Sequence, residues 1–311
     1  MLGRRQLRAK AMQALYAYYR GNKDLLLVEK NMVRSVYEVE KLYYALLTVL
    51  IALKSEAEKR IEIGLQKNFP TEEELNPNRK FVENAIFRIL DSRSDLSDFT
   101  TRNKQLDWSV EDVYPSKILK ELLEDKKFIK YMLSDERSFE EDKKLMMYIF
   151  TNYVAQSEEI FNFLEQQQLS WADDLHIANT MVLNTIKSFQ EEGANALFTL
   201  LLDEEHLDFT RELLRLSVHH EKELTELIDE KAQNWDFERI ALIDRIILQM
   251  ALAEFLYFPS IPPKVTINEY VEMSKSYSTP KSKTFVNGIL DKTLKDLKTE
   301  GKIRKSARGL M

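Results

Sequence analysis

The stretch IPPKVTINEYVEMSKSYSTPKSKTFVNGILDK, residues 261–292, decides the fold class of this chain. It reads as two short helices joined by a turn that carries lysines. Pro262 and Pro263 are interpreted as the end of the preceding segment. Thr266 and Glu269 then match a capping box, in which the two side chains satisfy backbone N–H groups that a first helical turn leaves unpaired. This pattern predicts a helix that starts near Thr266.

A second helix follows Ser278-Thr279-Pro280, which ends the first one. Its apolar residues recur at helical spacing and are Phe285, Val286, Ile289, Leu290, Leu294 and Leu297. Gly288 lies inside this helix, where glycine costs about 1 kcal/mol relative to alanine. We therefore expect another backbone to approach Gly288 closely. The whole stretch indicates a helical domain with a specific packing scheme.

The composition favours an all-helical protein. Among 311 residues there are only 7 glycines and 7 prolines, fewer than proteins with many tight turns need. Because cysteine is absent, disulfides and thiolate metal sites are excluded, which is typical of a reducing cytoplasm. No secretory signal is recognised. The longest apolar run, 42–53, is shorter than the roughly 18 residues that span a bilayer, so it predicts a buried core helix in a cytoplasmic protein.

The net charge of −6 is unevenly distributed along the chain. Residues 1–23 carry six basic side chains and no acidic one, and residues 259–311 carry eleven basic and five acidic side chains. Basic ends on an acidic body suggest a nucleic-acid surface built from both termini. Solvated helix faces and a loose basic tail would produce the same pattern, and charge alone does not separate the two.

The first predicted helix runs from Arg4 to Arg20. Arg4, Arg5 and Arg8 cluster in its first turns, where the helix dipole makes each cation unfavourable by about 0.3–1 kcal/mol. Three cations at a position where the helix dipole disfavours them suggest that an anionic ligand binds there.

The structure of three other segments is also predicted from their composition and spacing. Residues 238–258 form a helix that is apolar nearly all round and belongs at the centre of a bundle. Its interruptions are Asp244, Arg245, Gln249 and Glu254. Residues 91–112 are polar and read as an exposed loop, and 301–311 read as a disordered basic tail.

A faint internal repeat relates residues 161–183 to 226–248, with a tryptophan in each copy at Trp171 and Trp235. Either the unit is duplicated, or two helix pairs satisfy one packing requirement in the same way.

No enzyme signature is recognisable. The sequence has no G-x-G pair, no P-loop and no H-E-x-x-H, and its four histidines suggest no metal site. There is also no defensible nucleophile–base set. We therefore expect no catalysis and no cofactor.

Three segments together resemble the NusB family of bacterial transcription antitermination factors. They are RRQLRAKAMQALYAYYR at 4–20, NWDFERIALIDRIILQMALAEFLY at 234–257, and the stretch 261–292 with its I-P-x-K-V and F-V-N-G signatures. About 185 residues between the first segment and the others have no counterpart in a short family member. The chain is accordingly divided into a first helix at 1–23, an added helical segment at 24–204 that is an insertion or a diverged repeat, a main RNA-binding domain at 205–298, and a basic tail at 299–311.

The resemblance implies an all-α fold of two small helical bundles, here enlarged by extra helices. It also implies non-catalytic binding of the single-stranded boxA element of ribosomal RNA leaders, together with the ribosomal protein NusE, within the RNA polymerase elongation complex. The RNA contacts that it implies are Arg4, Arg5, Arg8, Tyr277, Lys281, Lys283 and Phe285. The partner contacts that it implies are Tyr16 and Asp244.

Alternatives stand beside these assignments. The spacing of Phe285 also suits a core residue, and Asp244 could simply pair with Arg245 or a neighbouring helix. We expect charge reversal at Arg5 and Arg8 to abolish RNA binding without unfolding the protein. The rival functions are a protein-interaction scaffold that no longer binds RNA and, with less support, an RNA-modifying enzyme, since NusB-like domains also occur fused to RNA methyltransferases.

Overall fold

The computed structural model describes residues 3–21, 23–111, 113–193, 195–197, 204–232 and 240–306. Over this part of the chain every regular element is a helix and no strand occurs, which confirms the predicted all-α class. The chain divides into two compact units. Unit 1 comprises Met1–Val36 with Leu200–Met311, and unit 2 comprises Tyr37–Thr199.

Unit 1 contains six complete helices among its described residues and the start of a seventh. They are α1 (Arg4–Arg20), the beginning of α2 (Leu25–Leu65), α11 (Glu204–His219), α12 (Glu221–Lys231), α13 (Leu242–Tyr257), α14 (Pro263–Tyr277) and α15 (Ser282–Thr299). Helix α13 is central, because α1, α11, α12, α14 and α15 all pack against it. The residues Ile246, Met250 and Phe255 are fully buried, as predicted for this apolar helix.

Helix α1 spans the residues that the sequence predicts. Its apolar face, which includes Leu7, Ala11 and Leu15, is fully buried. This face packs against α11 and α13, and burial of a leucine contributes about 1.5–3 kcal/mol. The packing brings the start of the chain onto helices that lie more than 180 residues away in the sequence.

Helix α14 starts earlier than predicted, and the capping-box prediction is wrong. Pro262 is the N-cap residue and the helix begins at Pro263, a position at which proline has no N–H to leave unpaired. Thr266 and Glu269 therefore lie inside the helix. Thr266 Oγ1 donates to Glu254 Oε1 at 2.7 Å, and the Glu269 carboxylate accepts hydrogen bonds from Arg5.

The expectation of a close backbone approach at Gly288 is also wrong. Gly288 is exposed on α15, and a Cβ built there meets no heavy atom within 4 Å.

We expect Gly288→Ala to raise the free energy of unfolding by about 1 kcal/mol, since alanine favours the helix over the unfolded chain. Guanidinium denaturation tests this. The control is Gly301→Ala, which should destabilise because Gly301 has φ +66°. An unchanged or lower midpoint for Gly288→Ala contradicts the prediction.

The described part of the basic tail is packed, not disordered as predicted. Lys305 Nζ donates to the backbone oxygens of Glu254 at 3.1 Å and Phe258 at 2.8 Å, and Ser306 N donates to Pro259 O at 3.0 Å. Glu254 O also accepts from Phe258 N and Phe258 O from Ile261 N, so the lysine amine is an additional donor to two carbonyl groups at the end of α13. Residues 307–311 lie outside the described part.

Unit 2 is also helical. It contains the rest of α2, then α3 (Glu72–Leu75), α4 (Ala85–Asp91), α5 (Ser94–Arg102), α6 (Val113–Leu122), α7 (Lys126–Leu133), α8 (Phe139–Ile149), α9 (Glu158–Gln167) and α10 (Trp171–Ser188), with a 3-10 turn at Lys104–Leu106 and a π-helical turn at Phe150–Val154. The predicted core run 42–53 is buried within α2, for example at Leu46 and Leu50. Of the tryptophan pair in the proposed repeat, Trp171 is buried and Trp235 lies outside the described residues.

The prediction of an exposed loop at 91–112 is wrong. Helix α5 occupies much of it, and its residues Leu96 and Phe99 are buried one turn apart. Trp108 is 2% exposed, and its Nε1 donates to Ala45 O at 2.8 Å. The few apolar side chains in this polar segment anchor it, since a buried aromatic residue removes far more surface from water than its neighbours.

Candidate nucleic-acid interface

The three arginines at the start of α1 have different environments, and Arg8 is the buried one. Its side chain is 2% exposed, and Nε and Nη2 donate to the two Glu254 carboxylate oxygens at 2.8 and 2.9 Å. Its guanidinium also lies 5.3 Å from the Phe209 ring centre and 5.8 Å from that of Tyr270. Arg8 therefore holds α1 against α13 and does not fit the predicted RNA contact.

Glu254 is the partner that makes this burial possible. Its carboxylate is fully buried on α13 and also accepts from Thr266 at 2.7 Å and Tyr270 at 3.3 Å. Burial by itself lowers the pKa of Arg8, but the hydrogen bonds and charge of Glu254 outweigh it and raise that pKa above its ordinary value. Arg8 therefore stays charged beside Glu254 inside unit 1.

Arg5 and Arg4 are accessible from solvent. The Arg5 side chain is 55% exposed, and its Nε and Nη2 each donate to Glu269 at 2.8 Å. This bidentate contact uses two of the five guanidinium N–H groups and leaves three to donate elsewhere. Arg4 Nη2 donates to Glu205 at 3.1 Å, and its side chain is 39% exposed. Both guanidinium groups can thus reach a phosphate.

Hydrogen bonds from Arg5 are the largest cause of the lowered pKa of Glu269, and burial opposes them. The carboxylate stays ionised and fixes the direction of the Arg5 guanidinium. Arg8 Nη1 lies 4.0 Å from the same carboxylate. Glu269 is therefore a residue of the interface, although the sequence reading placed it in a cap.

The turn between α14 and α15 presents the other predicted contacts. Tyr277 is the last residue of α14 and is half-buried. Lys281 and Lys283 are both exposed, one before the start of α15 and one in its first turn. Cations beside an aromatic side chain are the groups that bind phosphates and bases of a single strand.

Helix α14 carries Glu269, which accepts from Arg5, and Glu272, and it leads into the turn with Lys281 and Lys283. The hydrogen bond from Lys275 is the largest cause of the lowered pKa of Glu272, and the positive charges of Arg5 and Lys283 add to it. Such charge effects are weak beyond about 10 Å in salt solution. Arg5 of α1 and Lys283 of α15 therefore both act on one carboxylate of α14.

Phe285 belongs to the core. It is 7% exposed and lies on the buried face of α15 with Val286 and Ile289. Because little of the ring can stack on a base, the predicted RNA contact of Phe285 does not fit this burial. The alternative, that Phe285 is a core residue, does fit it.

The two residues implied for partner binding, Tyr16 and Asp244, differ in how exposed their side chains are. Tyr16 is 40% exposed on α1, and the Arg20 guanidinium lies 5.8 Å from its ring centre. Asp244 is only 6% exposed, and its Oδ2 accepts from Ser282 Oγ of α15 at 2.7 Å. A direct contact between the Asp244 carboxylate and a partner does not fit this burial, whereas pairing with a neighbouring helix does.

The sequence contained a signal for the Arg8–Glu254 pair. Arg8 precedes Met12 by four residues and Leu15 by seven, so it lies on the apolar stripe of α1. Glu254 interrupts an apolar helix, and a buried carboxylate requires a cation or several donors. Glu269 accepts hydrogen bonds from Arg5. For this residue the sequence offered only its spacing from Thr266, which suggested a capping box.

Metal sites and membrane spans find no support in the described ranges. Within them, no group of three or more His, Cys, Asp or Glu residues could hold a metal ion. Among the same residues, no helix combines the length and the apolar character that crossing a bilayer requires.

The chain was compared with known proteins. Residues 174–295 match the model of the NusB family. A protein of Salinibacter ruber named transcription antitermination protein NusB is 44% identical over 123 residues, which are 39% of this chain and 77% of that protein. Proteins of the same name from Chloroherpeton thalassium and Koribacter versatilis are 42% and 40% identical over 33% and 32% of this chain, and over 49% and 69% of their own lengths.

No solved structure matches the chain significantly. The family match begins within α10, at residue 174, includes α11 to α14, and ends within α15, at residue 295. Helix α1 lies outside that match but packs on α11 and α13. By its sequence the chain belongs to the NusB family, whose members are non-catalytic transcription factors.

Proposed function

We propose that this protein is a transcription antitermination factor that binds boxA-type RNA of ribosomal RNA leaders together with the ribosomal protein NusE, without catalysis. It acts on the RNA polymerase elongation complex. The name of the related proteins supports antitermination. The observation that supports a single RNA surface made from both ends of the chain is the bidentate contact of Arg5 with Glu269 on α14, the helix that leads into the lysine-bearing turn.

The proposed RNA surface consists of Arg4, Arg5, Tyr277, Lys281 and Lys283. The four cations reach phosphates and Tyr277 contacts a base, since specific RNA recognition mostly uses unpaired bases on aromatic side chains. Glu269 orients the Arg5 guanidinium through its bidentate contact. Tyr16, exposed on α1, is the residue proposed to contact the protein partner.

Salt dependence tests the surface. With about four phosphates neutralised on a single strand, the logarithm of the association constant should fall against the logarithm of salt concentration with a slope of about −2.8. Fluorescence anisotropy with a labelled boxA-type RNA, titrated at several salt concentrations, measures this slope. Affinity that does not respond to salt would overturn the assignment of the four cations.

A second candidate function is a protein-interaction scaffold. Residues 37–199, which make up unit 2, carry 30 acidic and 20 basic side chains, an excess that favours basic partners. Pull-down on boxA-type RNA against a scrambled RNA of equal length separates the two functions. Equal recovery on both RNAs would remove sequence-specific RNA binding and leave the scaffold.

A further inference from the structure

A small hydrogen-bond network closes the lysine-bearing turn. Ser282, the first residue of α15, donates from Oγ to Asp244 Oδ2 at 2.7 Å. The Oγ of Ser278 and the Oγ1 of Thr279 each lie 2.9 Å from the same Ser282 oxygen. Ser278, the first residue after α14, and Ser282, the first residue of α15, are thus tied to one point on α13.

The directions of these hydrogen bonds follow from counting protons. A carboxylate only accepts, so the single hydroxyl proton of Ser282 goes to Asp244. Ser282 then has only lone pairs to offer, and both Ser278 and Thr279 must donate to it. Every hydroxyl in the turn therefore depends, directly or through Ser282, on the Asp244 carboxylate.

The hydrogen bond between Asp244 and Ser282 is shielded from water, whereas Thr279 is exposed. Asp244 is 6% exposed and Ser282 is 3% exposed. A hydrogen bond to a charged group is stronger than one between neutral groups, and burying polar groups without it would be unfavourable. Asp244 also lies in the first turn of α13, where the helix dipole favours an anion. The carboxylate is therefore held through Oδ2, while its Oδ1 is buried without a hydrogen-bond partner among the described residues.

We infer that Asp244 is a positioning residue for RNA binding. It holds the turn 278–282, and with it Lys281 and Lys283, in the place from which the lysines reach phosphates, although the carboxylate itself contacts no RNA. This inference rests on the proposed function, because the lysines matter only if RNA binds there. It replaces the direct partner contact that the sequence suggested for Asp244.

The first test compares three variants for affinity to a labelled boxA-type RNA. Asp244→Ala should weaken binding about tenfold, within the usual range of coupling between separate groups. Ser282→Ala removes the same hydrogen bond from the side of the turn and should have a similar effect. Asp244→Asn keeps an oxygen that accepts from Ser282 and should bind nearly as the wild type does. Wild-type affinity in both alanine variants overturns the inference.

The second test separates positioning from general destabilisation. In a Lys281→Ala/Lys283→Ala background, Asp244→Ala should cause no further loss of affinity, because the groups that it positions are gone. An equal loss in both backgrounds would mean that Asp244 affects RNA binding by another route. If Asp244→Ala does not fold, the same cycle is measured with Ser282→Ala.

Hydrogen exchange distinguishes failure of this inference from failure of the proposed function. Amides of residues 278–283 should exchange faster in Asp244→Ala than in the wild type, with no RNA present, while those of α13 stay protected. Unchanged exchange overturns the anchoring role. If the wild-type protein binds no RNA but the turn does loosen, the proposed function is wrong and the anchor alone stands.

Discussion

Arg8→Ala is expected to lower the free energy of unfolding by about 3–5 kcal/mol, the usual effect of removing one partner from a buried ion pair. The substitution leaves the Glu254 carboxylate buried without its cation, and it removes the guanidinium from between the Phe209 and Tyr270 rings. Because domains are stable by only about 5–15 kcal/mol, this loss is a large share of the total. Chemical denaturation followed by circular dichroism measures it.

Arg5→Ala is the matched control for Arg8→Ala. Arg5 lies three residues away on the same helix and makes the same bidentate contact with a carboxylate, but its side chain is 55% exposed. Exposed pairs contribute about 1 kcal/mol or less, so Arg5→Ala should have a small effect. Equal destabilisation by the two variants would contradict the distinction between a buried and an exposed arginine.

A double variant extends this test. Arg8→Met with Glu254→Gln removes both charges and keeps an acceptor for Thr266 and Tyr270. It should be more stable than Arg8→Ala, because no unpaired charge remains buried. The burial of Arg8 also corrects an expectation from the sequence, namely that charge reversal at Arg5 and Arg8 abolishes RNA binding without unfolding the protein. Charge reversal at Arg8 would place two carboxylates together in the core, so any loss of RNA binding there would report unfolding.

Lys281→Glu/Lys283→Glu is expected to weaken binding of a boxA-type RNA about a hundredfold. Each unit charge near a phosphate contributes about 0.8 kcal/mol in water at 5 Å, and this variant changes four of them, which amounts to about 3 kcal/mol. Both lysines are exposed, so the stability of the protein should change by about 0.5 kcal/mol or less. Anisotropy titration at fixed salt measures the affinity.

The control for the lysine reversal has the same change in net charge. Lys292→Glu/Lys295→Glu alters two other exposed lysines of α15. Lys292 is nine residues beyond Lys283, about 13 Å along the helix, which exceeds the Debye length of about 8 Å in physiological salt. Its effect should therefore be much smaller. An equal loss in the two variants would mean that overall charge, and not the turn, determines binding.

Local pattern predicted several elements well. The start and end of α1 and the apolar central helix follow from periodicity, because burial of one face or of all faces is visible in the spacing of apolar residues. Local pattern failed at α14. Pro262 and Pro263 were interpreted as the end of the preceding segment, but they are the N-cap and the first residue of the helix. Local pattern also failed at Trp108, since one buried aromatic anchors a segment whose composition is polar.

For the candidate site, the sequence indicated the exposed cations Arg5, Lys281 and Lys283 but could not separate them from Arg8. The missing information was the identity of the partners. Glu254 lies 246 residues from Arg8 and Glu269 lies 264 residues from Arg5. Spacing along a helix reports which residues share a face, but it carries no information on which distant helix packs there.

The sequence by itself determined that this is a helical protein of the NusB family with basic residues at both ends, because these properties depend on composition and on short motifs. Only the tertiary structure decided which cations face water and which are buried. Packing of α1 on α13 places Arg8 against Glu254, while Arg5 stays at the surface on Glu269. Whether a guanidinium binds a ligand or stabilises the core depends on the carboxylate it meets and on the water that packing excludes.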